Sequence, residues 1–217
     1  MKLNIDVPNN LSEITLRDYK KFLKIQETVT DEKFLNAKII EIFCNVKLED
    51  VMLLKFNDSE EIVNILTDLF DSKPKLVTKF KLNDKEYGFH PQLDDLTLGE
   101  YIDLDTFIGD WENIEKAMNV LYRPVLVSLK DKYSIEKYRV ETVVDILDMP
   151  MDAVLSSVFF LWNLGMELSQ TMMNYLEEEE NNPALTEFLN SQESGDGINQ
   201  FMDSLTEILQ DLKISLN

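Results

Sequence analysis

Cysteine and histidine are scarce in this chain of 217 residues, which has one of each. Cys44 alone cannot form an intramolecular disulfide or a thiolate metal site within one chain, and this usage fits a reducing compartment. His90 would have to carry any zinc site or any Ser-His-Asp or Cys-His catalytic set by itself. We therefore interpret His90 as a structural or exposed residue.

Glycine-rich loops are also lacking. The six glycines are scattered, and neither GxGxxG nor GxxxxGK followed by serine or threonine occurs. Those patterns place backbone N–H groups around phosphates, so the sequence gives no sign of a nucleotide or dinucleotide site. We predict no cofactor.

Positive charge is in short supply, because 21 Lys and Arg face 41 Asp and Glu, for a formal net charge of -20. From residue 177 to the end, Lys213 is the only basic residue. A surface of this sign opposes sequence-independent binding to nucleic acid or to anionic membranes. We expect no membrane partner and no direct sequence-specific binding of nucleic acid.

Apolar runs are too short to cross a bilayer. The most apolar segment, AVLSSVFFLWNLGM at residues 153–166, lies between Asp152 and Glu167. A spanning helix needs about 20 predominantly apolar residues. The segment therefore predicts a buried helix.

Helical periodicity dominates what the sequence does contain. Apolar residues recur at helical spacing throughout both halves of the chain. The predicted helices cover residues 14–26, 30–43, 48–54, 59–70, 97–109, 111–122, 140–147, 152–176 and 184–189, with an amphipathic helix at the C-terminal end.

Strand signals are fewer. VTKFKL and EYGFHP flank Asn83-Asp84-Lys85 and predict a β-hairpin, and KLNID near the start predicts a short strand. Residues 125–140 form either a second small hairpin or a packed loop. The predicted fold class is α+β and mostly α-helical, with a small β-hairpin and a C-terminal helical tail.

A six-residue cassette occurs twice, as ITLRDY at residues 14–19 and LTLGEY at residues 96–101. Thr15 and Thr97 are placed to cap a new helix, and Asp18 and Glu100, three residues later, have the spacing of a capping box. Asp18 is the poorer partner, because its side chain is shorter.

The cassette also has the pattern of a hydrophobic staple, in which an apolar residue before the cap contacts Tyr19 or Tyr101 four residues after it. Similar helices follow both copies. We infer a tandem duplication of a strand-plus-helices unit, and the alternative is that capping chemistry recurs by chance. The predicted division is an N-terminal half at residues 1–74, a hairpin plus helical half at 75–180, and an acidic tail at 181–217.

Acidic residues cluster around the second cassette. Their carboxylates have the chemistry to hold Mg²⁺ or Ca²⁺, although the spacing does not match an EF-hand loop. Acids are also favoured at a helix N-terminus by its dipole, and we favour that interpretation. The cluster consists of Asp94, Asp95, Glu100, Asp103 and Asp105.

The terminal amphipathic helix is the candidate partner-binding element. Its apolar stripe must be covered either by the body of the protein or by a neighbour. We expect deletion of residues 191–217 to leave the fold intact and weaken association. The stripe comprises Phe201, Leu205, Ile208, Leu209 and Leu212.

The stretch FHPQLDDLTLGEYIDLDTFIGDWENIEKAMNVLYRPV, followed by DMPMDAVLSSVFFLWNLGMEL, resembles a poorly characterised set of structural-module proteins from tailed bacteriophages, including crAss-like phages. The resemblance covers about residues 79–168 and carries no catalytic signature. The residues that carry it are Leu98, Gly99, Glu100, Tyr101, Asp103, Leu104, Trp111, Leu121, Tyr122, Arg123, Pro124, Met149, Pro150, Met151 and Asp152.

The resemblance implies a non-enzymatic virion protein, carried as cargo in the capsid or packed in the portal-tail assembly. Its partners would be other virion proteins, such as portal or tail components, or further copies of itself. It would be found in the virion and, during assembly, in the host cytoplasm. The alternatives are a tail assembly chaperone that is absent from the mature virion and a carboxylate-metal hydrolase centred on residues 94–105.

Overall fold

The computed structural model describes residues 4–130, 132–139, 145–178 and 196–211. The fold is α+β and mostly α-helical, as predicted. The helices are α1 (Leu16–Gln26), α2 (Glu32–Phe43), α3 (Leu48–Val51), α4 (Phe56–Phe70), α5 (Leu98–Phe107), α6 (Ile114–Leu121), α7 (Met151–Glu178) and α8 (Asp196–Asp211).

Four antiparallel strands form one sheet in the order β1-β2-β3-β4. The strands are β1 (Lys79–Leu82), β2 (Lys85–Phe89), β3 (Tyr122–Leu129) and β4 (Lys132–Ile135). Two hairpins, β1–β2 and β3–β4, therefore make up the sheet. The first hairpin was predicted, and the second decides between the two alternatives for residues 125–140.

The β1–β2 turn lacks the favoured Asn-Gly or Asp-Gly pair but has the same backbone geometry. Asn83 and Asp84 have φ values of 48° and 61°. Positive φ at both central residues defines a type I′ turn, whose twist matches the flanking strands. Asn and Asp are the non-glycine residues that tolerate this region best.

The helix predicted at residues 111–122 is shorter in the structure, since α6 begins at Ile114 and ends at Leu121. Tyr122 instead opens β3 and pairs with Phe89 of β2. Its side chain is fully buried, and its hydroxyl donates to the backbone oxygen of Val77 at 2.7 Å. Sheet pairing and burial thus override the helical pattern at this position.

The first half of α7 lies at the centre of the core. Met151, Ala153, Val154, Leu155 and Val158 are completely buried. This segment is the one predicted to be a buried helix. No helix in the described ranges is long and apolar enough to cross a membrane.

Backbone contacts join the start of α1 to the start of α7. Thr15 and Pro150 form an antiparallel bridge, Leu16 N–H donates to Met149 O at 3.0 Å, and Met151 N–H donates to Ile14 O at 2.8 Å. Backbone hydrogen bonds therefore join the predicted N-terminal half to the loop that precedes α7.

An aromatic group fills the space between the N-terminal helices and α6. Tyr19 packs against Phe22, Phe70 and Trp111, with ring centroids 4.8 Å apart in the contact with Trp111. Phe43 completes the group through Phe22 and Phe70. These contacts bring apolar area from both predicted halves into one core.

The inferred duplication is not confirmed. Residues 4–8 contain no strand, whereas the second cassette follows a complete hairpin. The two tyrosines also differ, because Tyr19 is fully buried and Tyr101 is 47% exposed. Equivalent local sequences therefore occupy different surroundings.

Some predicted segments fall outside the described residues. These are the helix at residues 184–189, the boundary at 180–181, Leu212, residues 2–3 of the N-terminal strand, and residues 140–144 of the short helix. Residues 145–147 of that short helix are described and are not helical, since a turn begins at residue 147. The chain has to turn here because the next residues pair with the start of α1.

Candidate functional site

The second cassette forms a complete capping box at the start of α5. Thr97 Oγ1 accepts the Glu100 backbone N–H at 3.3 Å, and Glu100 Oε2 accepts the Thr97 backbone N–H at 2.7 Å. In the first cassette, Thr15 accepts the Asp18 N–H at 3.1 Å, but the Asp18 carboxylate accepts the Thr15 hydroxyl. The shorter aspartate therefore gives a cap without the full box.

Glu100 also forms a buried ion pair with Arg123. Its Oε1 lies 2.7 Å from Arg123 Nη1, and the two residues are 4% and 7% exposed. His90 Nε2 lies 3.8 Å from the same oxygen. We call His90, Thr97, Glu100 and Arg123 the polar cluster.

Burial and partners oppose each other in setting the pKa of Glu100. Burial by itself would raise it, but the hydrogen bonds from Thr97 and the charge of Arg123 lower the pKa below its ordinary value. Burial and the nearby Arg123 charge both lower the pKa of His90. At neutral pH the cluster therefore holds one carboxylate, one guanidinium and a neutral imidazole.

Tyr138 covers the cluster from outside. Its ring lies over the Arg123 guanidinium, 5.8 Å from the ring centroid to Cζ, and its hydroxyl donates to Asp103 Oδ2. Burial and the hydrogen bond to Asp103 raise the pKa of this hydroxyl. Tyr138 thus links α5 to the segment after β4.

The acidic residues of the predicted cluster do not converge on one point. Glu100 faces Arg123 and Asp103 faces Tyr138, while Asp94 and Asp95 are exposed in a 3-10 turn at Leu93–Asp95. Within the described ranges, no three His, Cys, Asp or Glu side chains are grouped to hold a metal ion. Glu100 therefore serves helix capping and ion pairing, and Asp103 holds the Tyr138 hydroxyl.

A groove opens where Arg123 reaches the surface. It has a volume of about 550 Å³ and lies between β3 and the segment after β4. We call it the Arg123 groove, and its lining includes Arg123, Leu126, Lys137, Tyr138 and Arg139. A second groove, of about 740 Å³, reaches His90 beside Phe89 and Tyr133.

The outer half of the β3–β4 hairpin exposes large apolar side chains. Leu126, Val127 and Leu129 are 61%, 64% and 74% exposed. The buried end of the same strand, at Tyr122 and Arg123, anchors the hairpin in the core. One element therefore joins the polar cluster to an exposed apolar surface.

A second exposed apolar surface lies on α5. Leu98, Tyr101 and Ile102 share one helical face and are 75%, 47% and 50% exposed. The exposure of Tyr101 means that the second cassette does not bury its predicted staple as the first does at Tyr19. The two cassettes share capping and differ in packing.

The terminal helix packs on the body of the protein. Leu205 and Ile208 are completely buried, so the body of the protein covers this part of the stripe, which is one of the two coverings that the sequence left open. Phe201 and Leu209 are half-buried, and Leu212 lies outside the described residues. Two glycines face α8: a Cβ on Gly109 would lie 2.7 Å from Ser204 Cβ, and one on Gly165 would clash with Met202 Sδ.

Sequence reasoning missed Arg123 as the partner of Glu100. The signal available was an arginine beside a proline at the start of an apolar segment, which does not identify an ion-pair partner. Arg123 reaches Glu100 through tertiary packing, because β3 continues directly from α6 and α6 packs against α5.

No family model, curated protein or solved structure matches this chain.

Proposed function

We propose that the chain is a non-enzymatic virion protein of a tailed phage, carried as cargo in the capsid or packed in the portal-tail assembly through contacts with other proteins. The observation that carries the proposal is the exposed apolar surface of the β3–β4 hairpin, at Leu126, Val127 and Leu129. Adjacent large apolar side chains on a projecting element are typical of protein interaction sites. The resemblance to phage proteins supports the phage assignment, since residues 79–168 include the whole sheet.

The arrangement of carboxylates favours this function over a hydrolase. A carboxylate-metal site needs several oxygens directed at one ion. Glu100 is buried and pairs with Arg123, and Asp103 is half-buried and accepts the Tyr138 hydroxyl. Recruiting them to a metal would break both contacts.

Mass spectrometry of purified particles tests the proposal. We expect the protein to be recovered at a fixed stoichiometry to the portal or the major capsid protein. Absence from particles whose formation requires the protein would overturn the virion assignment and support a tail assembly chaperone. Presence only at trace, variable levels would also contradict it.

A thermal-shift experiment distinguishes the proposed function from the carboxylate-metal hydrolase alternative. We expect Mg²⁺, Mn²⁺ and Ca²⁺ to leave the Tm unchanged both in the natural chain and in Asp103→Asn. A metal-dependent rise in Tm that disappears in Asp103→Asn would contradict the non-enzymatic proposal.

A further inference from the structure

We propose that the β3–β4 hairpin and the Arg123 groove at its base form one docking surface for an acidic, apolar-containing peptide segment of a partner protein. This inference rests on the proposed protein-docking function and deepens it by specifying the chemistry of the partner. The surface runs from the groove, at Arg123, to the exposed end of β3, at Leu129. We call it the hairpin surface.

The charge of the hairpin surface is opposite to that of the rest of the protein. Residues 122–139 contain five basic and two acidic residues, whereas the whole chain contains 21 basic and 41 acidic residues. Within the described ranges, none of the four exposed cations forms an ion pair. Those cations are Lys130, Lys132, Lys137 and Arg139.

The groove is a recess whose lining has three cations and one exposed carboxylate, Glu136. Arg123 forms part of the lining, and Lys137 and Arg139 lie at its exposed margin. The Arg123 side chain is 9% exposed, and only its Nη1 contacts Glu100, while its buried Nε has no hydrogen-bond partner in the described part of the chain. Guanidinium groups bind carboxylates strongly through parallel N–H bonds.

Apolar side chains adjoin these cations. Leu126 lines the groove and is also 61% exposed, and Val127 and Leu129 continue the apolar surface along β3. A partner segment with acidic and apolar residues at alternate positions would match both features. β4, the last strand in the sheet order, also offers an edge for backbone pairing.

An acidic protein segment fits this surface better than nucleic acid does. The five basic residues form a small patch on a chain with a net charge of -20. A polyanion extending past residues 122–139 would meet a chain whose other charged residues are predominantly acidic. A short acidic segment can stay within the patch.

Titration of the ¹⁵N-labelled full chain with a short acetylated peptide that alternates Glu and Leu tests the proposal. We expect NMR shift changes confined to residues 122–139 and reduced by salt. The charge reversal Lys137→Glu with Arg139→Glu should weaken binding by about tenfold or more. The matched control, Lys33→Glu with Lys55→Glu, makes the same charge change at two exposed lysines of the N-terminal helices and should leave affinity within about twofold.

Two matched double variants test how much the exposed apolar side chains contribute to peptide binding. Leu126→Ser with Leu129→Ser should weaken peptide binding by about tenfold while leaving the Tm unchanged, because both side chains are largely exposed. Leu98→Ser with Ile102→Ser removes comparable exposed apolar area from α5 and should not affect binding. Equal losses in both pairs would overturn the assignment of the hairpin surface.

Three other outcomes would also overturn the proposal. They are no shift changes with the peptide, tighter binding of single-stranded oligo-dT at residues 122–139, and self-association of the peptide-free chain through the hairpin in sedimentation. Failure of the hairpin-surface proposal is distinguishable from failure of the proposed virion function. A Lys137→Glu/Arg139→Glu chain that is still recovered from particles at natural stoichiometry would reject the hairpin surface and retain the virion role.

Discussion

Glu100 has two roles at the scale of single residues. Its two carboxylate oxygens separate the roles, since Oε2 closes the capping box with Thr97 and Oε1 pairs with Arg123. Burying two charges is costly, and the cost is offset only when each charge keeps its partners. Removing one charge of the Glu100–Arg123 pair should therefore lower the free energy of unfolding far more than removing one charge of a surface ion pair.

Arg123→Met should lower the free energy of unfolding by about 3–5 kcal/mol, because it leaves the Glu100 carboxylate buried without its cation. Adding Glu100→Gln to Arg123→Met should recover most of that loss, since Gln can still complete the capping box. Urea unfolding measures both values. Lys38→Met, which removes the partner of Glu41 on a partly exposed helix face, is the control and should cost less than about 1 kcal/mol. Equal costs for Arg123→Met and Lys38→Met would contradict the buried-pair interpretation.

Stability should fall as pH decreases below 6.5, the ordinary pKa of histidine. Because burial and Arg123 lower the pKa of His90 in the folded state, the unfolded chain binds this proton at a higher pH. The contribution is present above pH 6.5 and is lost as pH falls towards the folded pKa. The lowered pKa of Glu100 acts in the same direction below its ordinary value of 4.5.

Urea unfolding of the natural chain and His90→Gln between about pH 7.5 and pH 5.5 isolates the histidine contribution. We expect a shallower pH dependence in the variant over this range. Identical slopes would mean that the pKa of His90 is the same in the folded and unfolded states. Since the chain has one histidine, no second imidazole complicates the comparison.

At the scale of elements, the structure covers much of α8, which the sequence offered for partner binding, and exposes the outer end of the β3–β4 hairpin. The amphipathic stripe of α8 is covered by the body of the protein, with Leu205 and Ile208 fully buried. The hairpin, which the sequence left undecided, has Leu126 and Leu129 in solvent. Deletion of residues 191–217 is therefore expected to destabilise the fold, which reverses the expectation from sequence.

Gly109→Ala should destabilise the protein by about 1–3 kcal/mol, because the new Cβ would overpack the contact with α8. It would lie 2.7 Å from Ser204 Cβ and 3.2 Å from Ser204 Cα. Ser204→Gly in the same chain removes the closer atom and should recover part of the loss, even though glycine itself weakens a helix. Thermal unfolding followed by circular dichroism measures both. Unchanged stability in Gly109→Ala would show that α8 does not rest against the end of α5.

At the scale of the whole molecule, the predicted halves share one core. Tyr19 of α1 contacts Trp111, and Lys20 Nζ lies 2.5 Å from Glu115 Oε2 across the same junction. The bridge between Thr15 and Pro150 adds a backbone connection. Extensive apolar contact of this kind couples the unfolding of the parts it joins.

A single cooperative unfolding transition is the expected result. The chain has two tryptophans, Trp111 and Trp162. Trp162→Phe leaves Trp111, at the junction of the predicted halves, as the sole tryptophan fluorophore. Its fluorescence and far-ultraviolet circular dichroism should then give the same urea midpoint. Two separated midpoints would instead support residues 1–74 and 75–180 as independent domains.

Local chemistry explains how far prediction from sequence succeeded. The Thr97 cap, the β1–β2 hairpin and the buried α7 depend on residues close in sequence, and all three are present as predicted. The end of α6 was misplaced by one residue at Tyr122, because pairing with β2 competes there with helical periodicity. The partner of Glu100 was missed because Arg123 is brought to it by tertiary packing and not by spacing.

The sequence by itself determined where α1 and α5 start, where the first hairpin turns and that the chain is strongly acidic, because these properties arise from neighbouring residues or from composition. Only the tertiary structure decided which apolar surfaces are covered. Tyr19 is buried and Tyr101 is exposed after almost identical letters, since burial depends on what the rest of the chain places against each helix. The same long-range packing covers α8, leaves the end of β3 in solvent and joins Glu100 to Arg123.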